Sequence, residues 1–403
     1  MKKLLSVLLV LVLTVSLCGC DFNTKQLEYI AEELLELMPD DKTIVEEYYV
    51  FPPEYNAAYN SLSDKQKQIY RKIYAISEKM PEGYVAVSKQ YDDVIRDISL
   101  SYTAVLYDHP EIFWMPSTYI VGEQNTGFSK EVLLSFNYQI SGDTTKYSVT
   151  KTKRNEMRKE LENKVNSIIS SFSENDGEFE KEKKINDYIC QNTEYVKQGE
   201  WVDTAYGCLI NKKALCEGYS KAFKLLCNEV GIECDLIVGY SEGEGHMWNS
   251  VNIDNKHSFV DVTWNDNPDF PYLYFNITTE QISYDHTFMP LFSEMEEDSV
   301  IKGNSFNFVE RVCEFKGNTY YDKYGFVLDD FDASNYASVA AEIISNTDIG
   351  DKKSVELLLS SNELKKEFEN NPEKFLIKIQ RHLKDLVITA YAFERDVLII
   401  FFE

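Results

Sequence analysis

The clearest deficit of this sequence is positive charge. Its 403 residues include 41 lysines and arginines against 67 aspartates and glutamates, which gives a formal net charge of −26. Proteins that bind nucleic acid or anionic lipid by charge present a surplus of basic side chains to the phosphates. The deficit therefore argues against direct recognition of either, and we expect no nucleic acid among the partners.

The sequence also lacks paired cysteine spacings. It contains eight cysteines, but no pair has a spacing such as CxxC, which is typical of disulfide frameworks and zinc sites. We therefore expect no metal, no cofactor and mostly buried free thiols. Internal repeats and low-complexity tracts are absent too. With 44% hydrophobic residues, the chain is long enough for two or three domains with a substantial core.

The first apolar run is too short to span a bilayer. Leu4–Leu17, which follows Lys2 and Lys3, falls short of the roughly 20 residues of a membrane helix and has the layout of a secretory signal. Leu17-Cys18-Gly19-Cys20 resembles a bacterial lipobox. That resemblance implies cleavage before Cys20, acylation of its thiol, and an exported protein held by lipid in the cell membrane, facing outside the cytoplasm. A plain secretory signal remains the alternative.

Cys216 opens a helical pattern that ends at Gly231. Apolar residues recur at spacings of three and four: Tyr219, Ala222, Phe223, Leu226 and Val230. A thiol at the start of a helix faces unpaired backbone N–H groups and the positive end of the helix dipole, and both favour thiolate. Thiolate is the form of cysteine that attacks a carbonyl carbon.

Two predicted strands follow this helix. Met247–Ile253 and Ser258–Trp264 flank Asp254-Asn255, a pair typical of a two-residue hairpin turn. The register that this turn sets opposes Trp248 to Asp261. It also places His246 across from Thr263 and diagonal to Asp261 on one face, within reach of its side chain.

A cysteine, a histidine and an aspartate in this arrangement suit acyl transfer. The imidazole of His246 can take the thiol proton of Cys216 and return it to a leaving amine, while the carboxylate of Asp261 fixes the imidazole tautomer. The acyl group can pass to water, which is hydrolysis, or to a lysine amine, which forms an isopeptide cross-link.

The surroundings of these three residues, ALCEGYSKAF, GHMWNSV and FVDVTWND, resemble the catalytic core of the transglutaminase-like superfamily in its compact bacterial form. Three flanking segments strengthen the resemblance: DHPEIFWM (108–115), TAYGCLINKKALC (204–216) and YFNITTEQISYDH (274–286). The resemblance implies an α+β, papain-like core, in which the helix bearing the cysteine packs on an antiparallel sheet. It also implies Cys216, His246 and Asp261 as the catalytic residues.

Two departures limit what the resemblance implies. The animal cross-linking enzymes carry GQCW at the nucleophile, where this chain has ALCEG, and no acidic cluster resembles a calcium-binding EF-hand loop. In such sites the oxyanion is met by the N–H of the cysteine and by an upstream side-chain donor. Tyr206 is the expected donor and Trp201 the alternative, with Trp248 as a further cleft residue.

The resemblance and the periodicity together predict four segments. These are a signal peptide (1–19), an N-terminal α+β module (20–150), the catalytic core (151–295) and a C-terminal α+β extension (296–403). The N-terminal module is predicted to contain a helix at Thr24–Met38, a second helix that a capping box opens at Ser63, and a hairpin around 141–143. The core is predicted to begin with helices at Lys153–Phe172 and Phe179–Ile189.

In the extension, strand patterns cover Phe306–Phe315, Leu386–Phe393 and Val397–Phe402, and helical patterns cover Tyr336–Ile344, Val355–Glu369 and Pro372–Leu383. Three function classes then remain. The favoured one is a cell-surface cysteine hydrolase of peptide or isopeptide bonds in a protein or peptide substrate, because GQCW is absent. The alternatives are a transglutaminase that forms Gln-Lys cross-links and a binding module without catalysis.

Overall fold

The structure, a computed structural model, describes residues 56–81, 83–116, 118–125, 127, 129–136, 149–268, 270–295, 304–314, 316–348 and 354–403. The predicted signal peptide, Cys20, the helix at Thr24–Met38 and the turn at 141–143 lie outside these residues. Within them, no helix has the length and apolar character needed to cross a membrane.

Helices and strands alternate along the chain. The helices are α1 (Ala57–Ser61), α2 (Asp64–Lys79), α3 (Val94–Asp108), α4 (Lys151–Ile169), α5 (Glu178–Asn192), α6 (Cys216–Glu229), α7 (Val262–Asn265), α8 (Thr279–Ile282), α9 (Tyr320–Tyr324), α10 (Ala333–Asp348), α11 (Asn362–Asn370) and α12 (Pro372–Gln380). The strands are β1 (Val85–Lys89), β2 (Ile120–Asn125), β3 (Lys130–Ser135), β4 (Glu194–Tyr195), β5 (Lys213–Ala214), β6 (Glu233–Ser241), β7 (Glu244–Ile253), β8 (Lys256–Val260), β9 (His286–Phe288), β10 (Phe326–Leu328), β11 (Ser354–Leu359), β12 (Ile388–Glu394) and β13 (Val397–Phe402). This mixture confirms the predicted α+β class.

The chain divides into two compact units. The first comprises the described residues up to Asn255 together with Thr287–Arg311, and the second comprises Lys256–His286 and Val312–Glu403.

The first unit begins with a helical pair and a small sheet. The predicted capping box opens α2, since Ser63 accepts from the N–H of Gln66 and the Gln66 side chain accepts from the N–H of Ser63. Helices α2 and α3 pack together, and β1, β3 and β2 form an antiparallel sheet in that order. Arg154 of α4 donates to the Glu78 carbonyl at 2.9 Å. The N-terminal helices and α4 therefore belong to one packed body.

The centre of the first unit is α6 packed on the antiparallel pair β6 and β7. Helix α6 begins at Cys216, as predicted, and Gly231 follows its end with φ at 86°. Helices α4 and α5 confirm the two amphipathic helices predicted before it, and Thr150 caps the first of them. The predicted arrangement of a cysteine-bearing helix on an antiparallel sheet is confirmed.

The second unit contains a four-stranded sheet in the order β10, β11, β13, β12. Strands β10 and β11 are parallel, since α10 returns the chain between them, and the other neighbours are antiparallel. Apolar residues of the sheet and of α10, α11 and α12 form one core. The helices at 336–344 and 372–383 and the two closing strands are therefore confirmed.

Two predictions in the extension are wrong. Val355–Leu359 belongs to strand β11 rather than to a helix, and the helix begins only at Asn362. Four of its last five residues are buried, and the apolar run of a strand that is covered on both faces resembles a buried helix in sequence. The described part of Phe306–Phe315 forms an irregular segment with one isolated bridge at Asn307.

The predicted strand Ser258–Trp264 is also too long. Strand β8 ends at Val260, and the next residues form the short helix α7. Oδ1 of Asp261 accepts from the N–H groups of Thr263 and Trp264 at 3.0 and 3.1 Å. Because this cap turns the chain into a helix, Thr263 is not the strand partner that the sequence predicted for His246.

Candidate active site

Cys216 is the first residue of α6. The preceding residue, Leu215, is extended, with φ at −97° and ψ at 179°, so the helix begins abruptly at the cysteine. The thiol forms no disulfide with the described residues and is partly exposed, as is that of Cys190. The other described cysteines, Cys208, Cys227, Cys234 and Cys313, are buried and form no disulfide, as expected for most of the cysteines. Cys216 thus combines access to solvent with a place at a helix N-terminus.

The strand that bears His246 is hydrogen-bonded to the helix that bears Cys216. One turn after the cysteine, the Ser220 hydroxyl donates to the Met247 carbonyl at 2.9 Å. The Asn249 side-chain amide donates to the Ser220 carbonyl at 3.1 Å. Ser220 and Asn249 are almost completely buried. Because buried hydrogen bonds are costly to break, they fix the register between α6 and β7 next to His246.

The ring of His246 is supported from the interior. Trp248 is 0% exposed, and its ring lies nearly parallel to that of His246, with centroids 6.0 Å apart. Gly239 is opposite His246 in the sheet, where an added Cβ would come within 2.5 Å of the Trp248 ring. Trp248 therefore cannot line an open cleft as the sequence suggested, because it is enclosed in the core.

The turn between β7 and β8 is the tight one that the sequence predicts. Asp254 and Asn255 have φ values of 52° and 61°, which is the left-handed pair of a type I′ hairpin turn. Beyond β8, Asp261 is 0% exposed. Its Oδ1 caps α7, and its Oδ2 lies 3.0 Å from Nε2 of His286.

His286 is a residue whose role the sequence analysis missed. Nδ1 of this buried ring lies 2.5 Å from Oδ1 of Asp285, and the Tyr274 hydroxyl donates to the other oxygen of Asp285 at 2.6 Å. Burial lowers the pKa of His286, but hydrogen bonds to Asp261 and Asp285 more than offset it and leave the pKa above its ordinary value. Both ring nitrogens therefore lie within hydrogen-bond distance of a carboxylate oxygen.

The segment before Cys216 lies against the first turn of α6. The N–H of Leu215 donates to the Val202 carbonyl at 2.9 Å. A Cβ at Gly218 would lie 2.3 Å from the Val202 carbonyl oxygen and 2.8 Å from Cβ of Ala214. Only glycine at this position lets the two backbones approach so closely.

We expect Gly218→Ala to distort this region. The new methyl group meets backbone rather than a flexible side chain, so we expect a loss of stability of about 1–3 kcal/mol and lower activity. Gly245→Ala is the matched control, because a Cβ there meets nothing within 4 Å. Thermal unfolding of both variants measures the effect, and equal stability of the two would contradict the packing described for Gly218.

The two expected oxyanion donors lie together in an aromatic cluster. Tyr206 stacks on Phe113 with centroids 4.7 Å apart, and Trp201 meets the same ring edge-on at 5.5 Å. The Tyr206 hydroxyl donates to Glu160 at 2.6 Å. Burial and this carboxylate raise the pKa of Tyr206 above its ordinary value. Its single proton is therefore committed to Glu160 in this conformation.

Residues 165–264 match the sequence model of the Transglutaminase-like superfamily. Mouse Kyphoscoliosis peptidase is 28% identical over 118 residues, which cover 25% of this chain and 18% of that protein. The human Kyphoscoliosis peptidase is 32% identical over 68 residues, which cover 14% and 10%. These alignments thus span less than a fifth of either relative. A solved structure of a TGase is 17% identical, covers 36% of this chain and 43% of its own, and has a TM-score of 0.25.

Proposed function

We propose, from the transglutaminase-like domain that residues 165–264 carry, that this chain is a cysteine-dependent enzyme that hydrolyses peptide or isopeptide amide bonds. Cys216 is the nucleophile, His246 the general base and acid, and Asp261 the residue that orients the base. The observation that supports this most directly is a pair of buried hydrogen bonds, one donated by the Ser220 hydroxyl and one accepted by the Ser220 carbonyl, which hold the cysteine-bearing helix on the histidine-bearing strand.

In the first chemical step, Sγ of Cys216 attacks the carbonyl carbon of the substrate amide, and His246 takes the thiol proton. The carbonyl oxygen becomes an oxyanion in a tetrahedral intermediate. His246 then gives its proton to the amide nitrogen, the C–N bond breaks, and an amine leaves. The product is a thioester between the acyl group and Cys216.

The oxyanion needs donors near the nucleophile. The first N–H groups of a helix have no intrahelical partner, and Cys216 is the first residue of α6. We assign its own N–H as one donor. Tyr206 and Trp201 are immediately upstream, and Tyr206 qualifies as the second donor only if its hydroxyl leaves Glu160. A substrate carbonyl oxygen that accepts this hydrogen bond in place of Glu160 would release the hydroxyl.

In the second step, the thioester is attacked by an acceptor. With water, His246 takes a proton, the C–S bond breaks, and a carboxylic acid and free Cys216 result. With a lysine amine, the same step forms an isopeptide bond. The likeness to transglutaminases favours the second reaction, whereas ALCEG in place of GQCW favours the first. Intact catalytic residue types count against a role in binding alone.

One experiment separates these possibilities. The chain is incubated with glutamine-containing peptides and a labelled primary amine, while ammonia release, peptide cleavage and label incorporation are followed together. Hydrolysis predicts new carboxyl groups without incorporation. Label incorporation in excess of hydrolysis would favour the cross-linking transferase. If the parent protein shows no more hydrolysis or incorporation than Cys216→Ala, the binding module is favoured.

The lipobox-like Leu17-Cys18-Gly19-Cys20 supports a second part of the proposal, an enzyme held by lipid outside the cytoplasm. Two acyl chains of a diacylglycerol anchor stably, because each buried CH₂ contributes about 0.8 kcal/mol. Repulsion of the acidic body acts only within a Debye length of about 8 Å. We therefore expect the protein to fractionate with membranes, and Cys20→Ser to release it. An unmodified Cys20 in mass spectra of the mature N-terminus would contradict this.

A further inference from the structure

His286 lies between two carboxylates in the second unit. Its Nε2 is 3.0 Å from Oδ2 of Asp261 and its Nδ1 is 2.5 Å from Oδ1 of Asp285. The side chains of His286 and Asp261 are both 0% exposed, and that of Asp285 is 18% exposed. Water is therefore largely kept from all three groups, and each hydrogen bond is strong because the surroundings are apolar.

This geometry fixes the protonation of the ring. An ionised carboxylate only accepts hydrogen bonds, so each nitrogen that faces one must carry a proton. With both carboxylates ionised, His286 therefore carries a proton on each nitrogen and is an imidazolium. The orientation of the Asp261 carboxylate is also fixed, because Oδ1 accepts from two backbone N–H groups and Oδ2 is bound to His286.

We propose that His286 is a positioning residue for Asp261: an imidazolium that holds the carboxylate in place and offsets part of its charge. This inference rests on the proposed function, in which Asp261 orients His246. In that role, the negative charge of Asp261 stabilises the imidazolium of His246 and opposes transfer of the proton that must reach the leaving amine. The cation at His286 weakens this stabilisation, so that His246 can both take up a proton and release it.

The other charged and titratable groups around the ring support this state. Tyr274 donates to Asp285, and the guanidinium of Arg395 lies over the Tyr274 ring at 4.6 Å. Burial, followed by the hydrogen bond to Asp285, raises the pKa of Tyr274 well above its ordinary value, so it remains neutral. Arg395 also donates to the Leu273 carbonyl at 3.0 Å, which fixes it next to Tyr274.

The test measures protonation directly, on the full chain with Cys216→Ala so that thiol chemistry does not interfere. Nuclear magnetic resonance of ring nitrogens resolves the five histidines, and single substitutions assign them. We expect both nitrogens of His286 to carry protons at neutral pH. In His286→Gln, we expect the titration midpoint of His246 to rise by about one pH unit, because removal of a like charge favours the protonated ring.

Asp285→Asn is the second variant. It keeps the ring of His286 but removes the carboxylate that requires the second proton, so we expect His286 to lose that proton near neutrality and His246 to shift in the same direction. His382→Gln is the matched control, the same substitution at an exposed histidine, and should leave His246 unchanged. A His286 that is singly protonated in the parent protein would overturn the proposal, as would an unchanged His246 midpoint in both variants.

The free energy of unfolding provides a second measurement, which can be made even when a variant is destabilised. Because the pKa of folded His286 is raised above 6.5, the stabilisation from its charge is fully present below the unfolded pKa and is lost as pH rises through the folded one. We expect the parent protein to exceed His286→Gln in free energy of unfolding at acidic pH, and the excess to decline at alkaline pH. A pH-independent excess would contradict a charged His286.

These outcomes separate the inference from the proposed function. The resonance and stability measurements need no catalysis. If they succeed while neither hydrolysis nor amine transfer is detected, the acyl-transfer role fails and the charged state of His286 stands. If catalysis depends on Cys216 and the His246 midpoint does not move, the proposed function stands and the positioning role of His286 is wrong.

Discussion

Replacement of Cys216 by alanine is expected to lower turnover on the order of 10⁶-fold, the loss that follows removal of the nucleophile from a serine triad. The proposed mechanism forms the thioester on Cys216, so without this thiol only the background reaction should remain. The fold should survive, because the residue is partly exposed at the first position of α6 and alanine is a good helix former. Steady-state hydrolysis of the peptide found in the substrate assay measures the loss.

The matched control is Cys190→Ala, because Cys190 is the other partly exposed cysteine among the described residues and lies on α5. It should retain activity and rapid labelling by iodoacetamide, while Cys216→Ala loses both. If labelling and turnover were instead lost with Cys190, the nucleophile would be misassigned.

Asp261→Asn is expected to lower turnover by about 10³–10⁴-fold, as the same change does in serine triads. The asparagine oxygen can still accept from Thr263 and Trp264 and keep α7 capped. Its amide group, however, would then face the N–H of His286 and would no longer fix the tautomer of His246 as a carboxylate does. The loss should therefore fall mainly on kcat.

Asp254→Asn controls for the substitution itself. It lies in the exposed turn before β8, with φ at 52°, where asparagine is well tolerated. We expect near-normal kcat in this variant and a folded Asp261→Asn protein by circular dichroism. An Asp261→Asn enzyme that keeps most of its activity would remove Asp261 from the mechanism.

Local sequence signals predicted much of the central fold. The three- and four-residue spacing after Cys216 gave α6, and Asp254-Asn255 gave a turn with two left-handed residues. Such signals succeed because helix periodicity and turn chemistry depend on neighbours in the chain. The three proposed catalytic residues could be selected for the same reason, because each lies in its own short motif.

Other features depend on contacts that no short window contains. The side chain of Asp261 ends β8 by capping α7, although Val262 and Thr263 alone favour a strand. The bond between Asp261 and His286 joins positions 25 residues apart. Asp285-His286 was present in a matched flanking segment, but nothing local indicated that both ring nitrogens would meet carboxylates.

The most direct test of the central claim is the rate at which iodoacetamide alkylates Cys216 as a function of pH, read at that residue by peptide mass spectrometry. If His246 activates the thiol, the rate should already be near its plateau at neutral pH, and His246→Ala should lower the neutral rate at least about tenfold, towards that of an ordinary thiol. A rate in the parent protein that rises only as an ordinary thiol titrates, near pH 8.5, and is unchanged by His246→Ala would contradict the account.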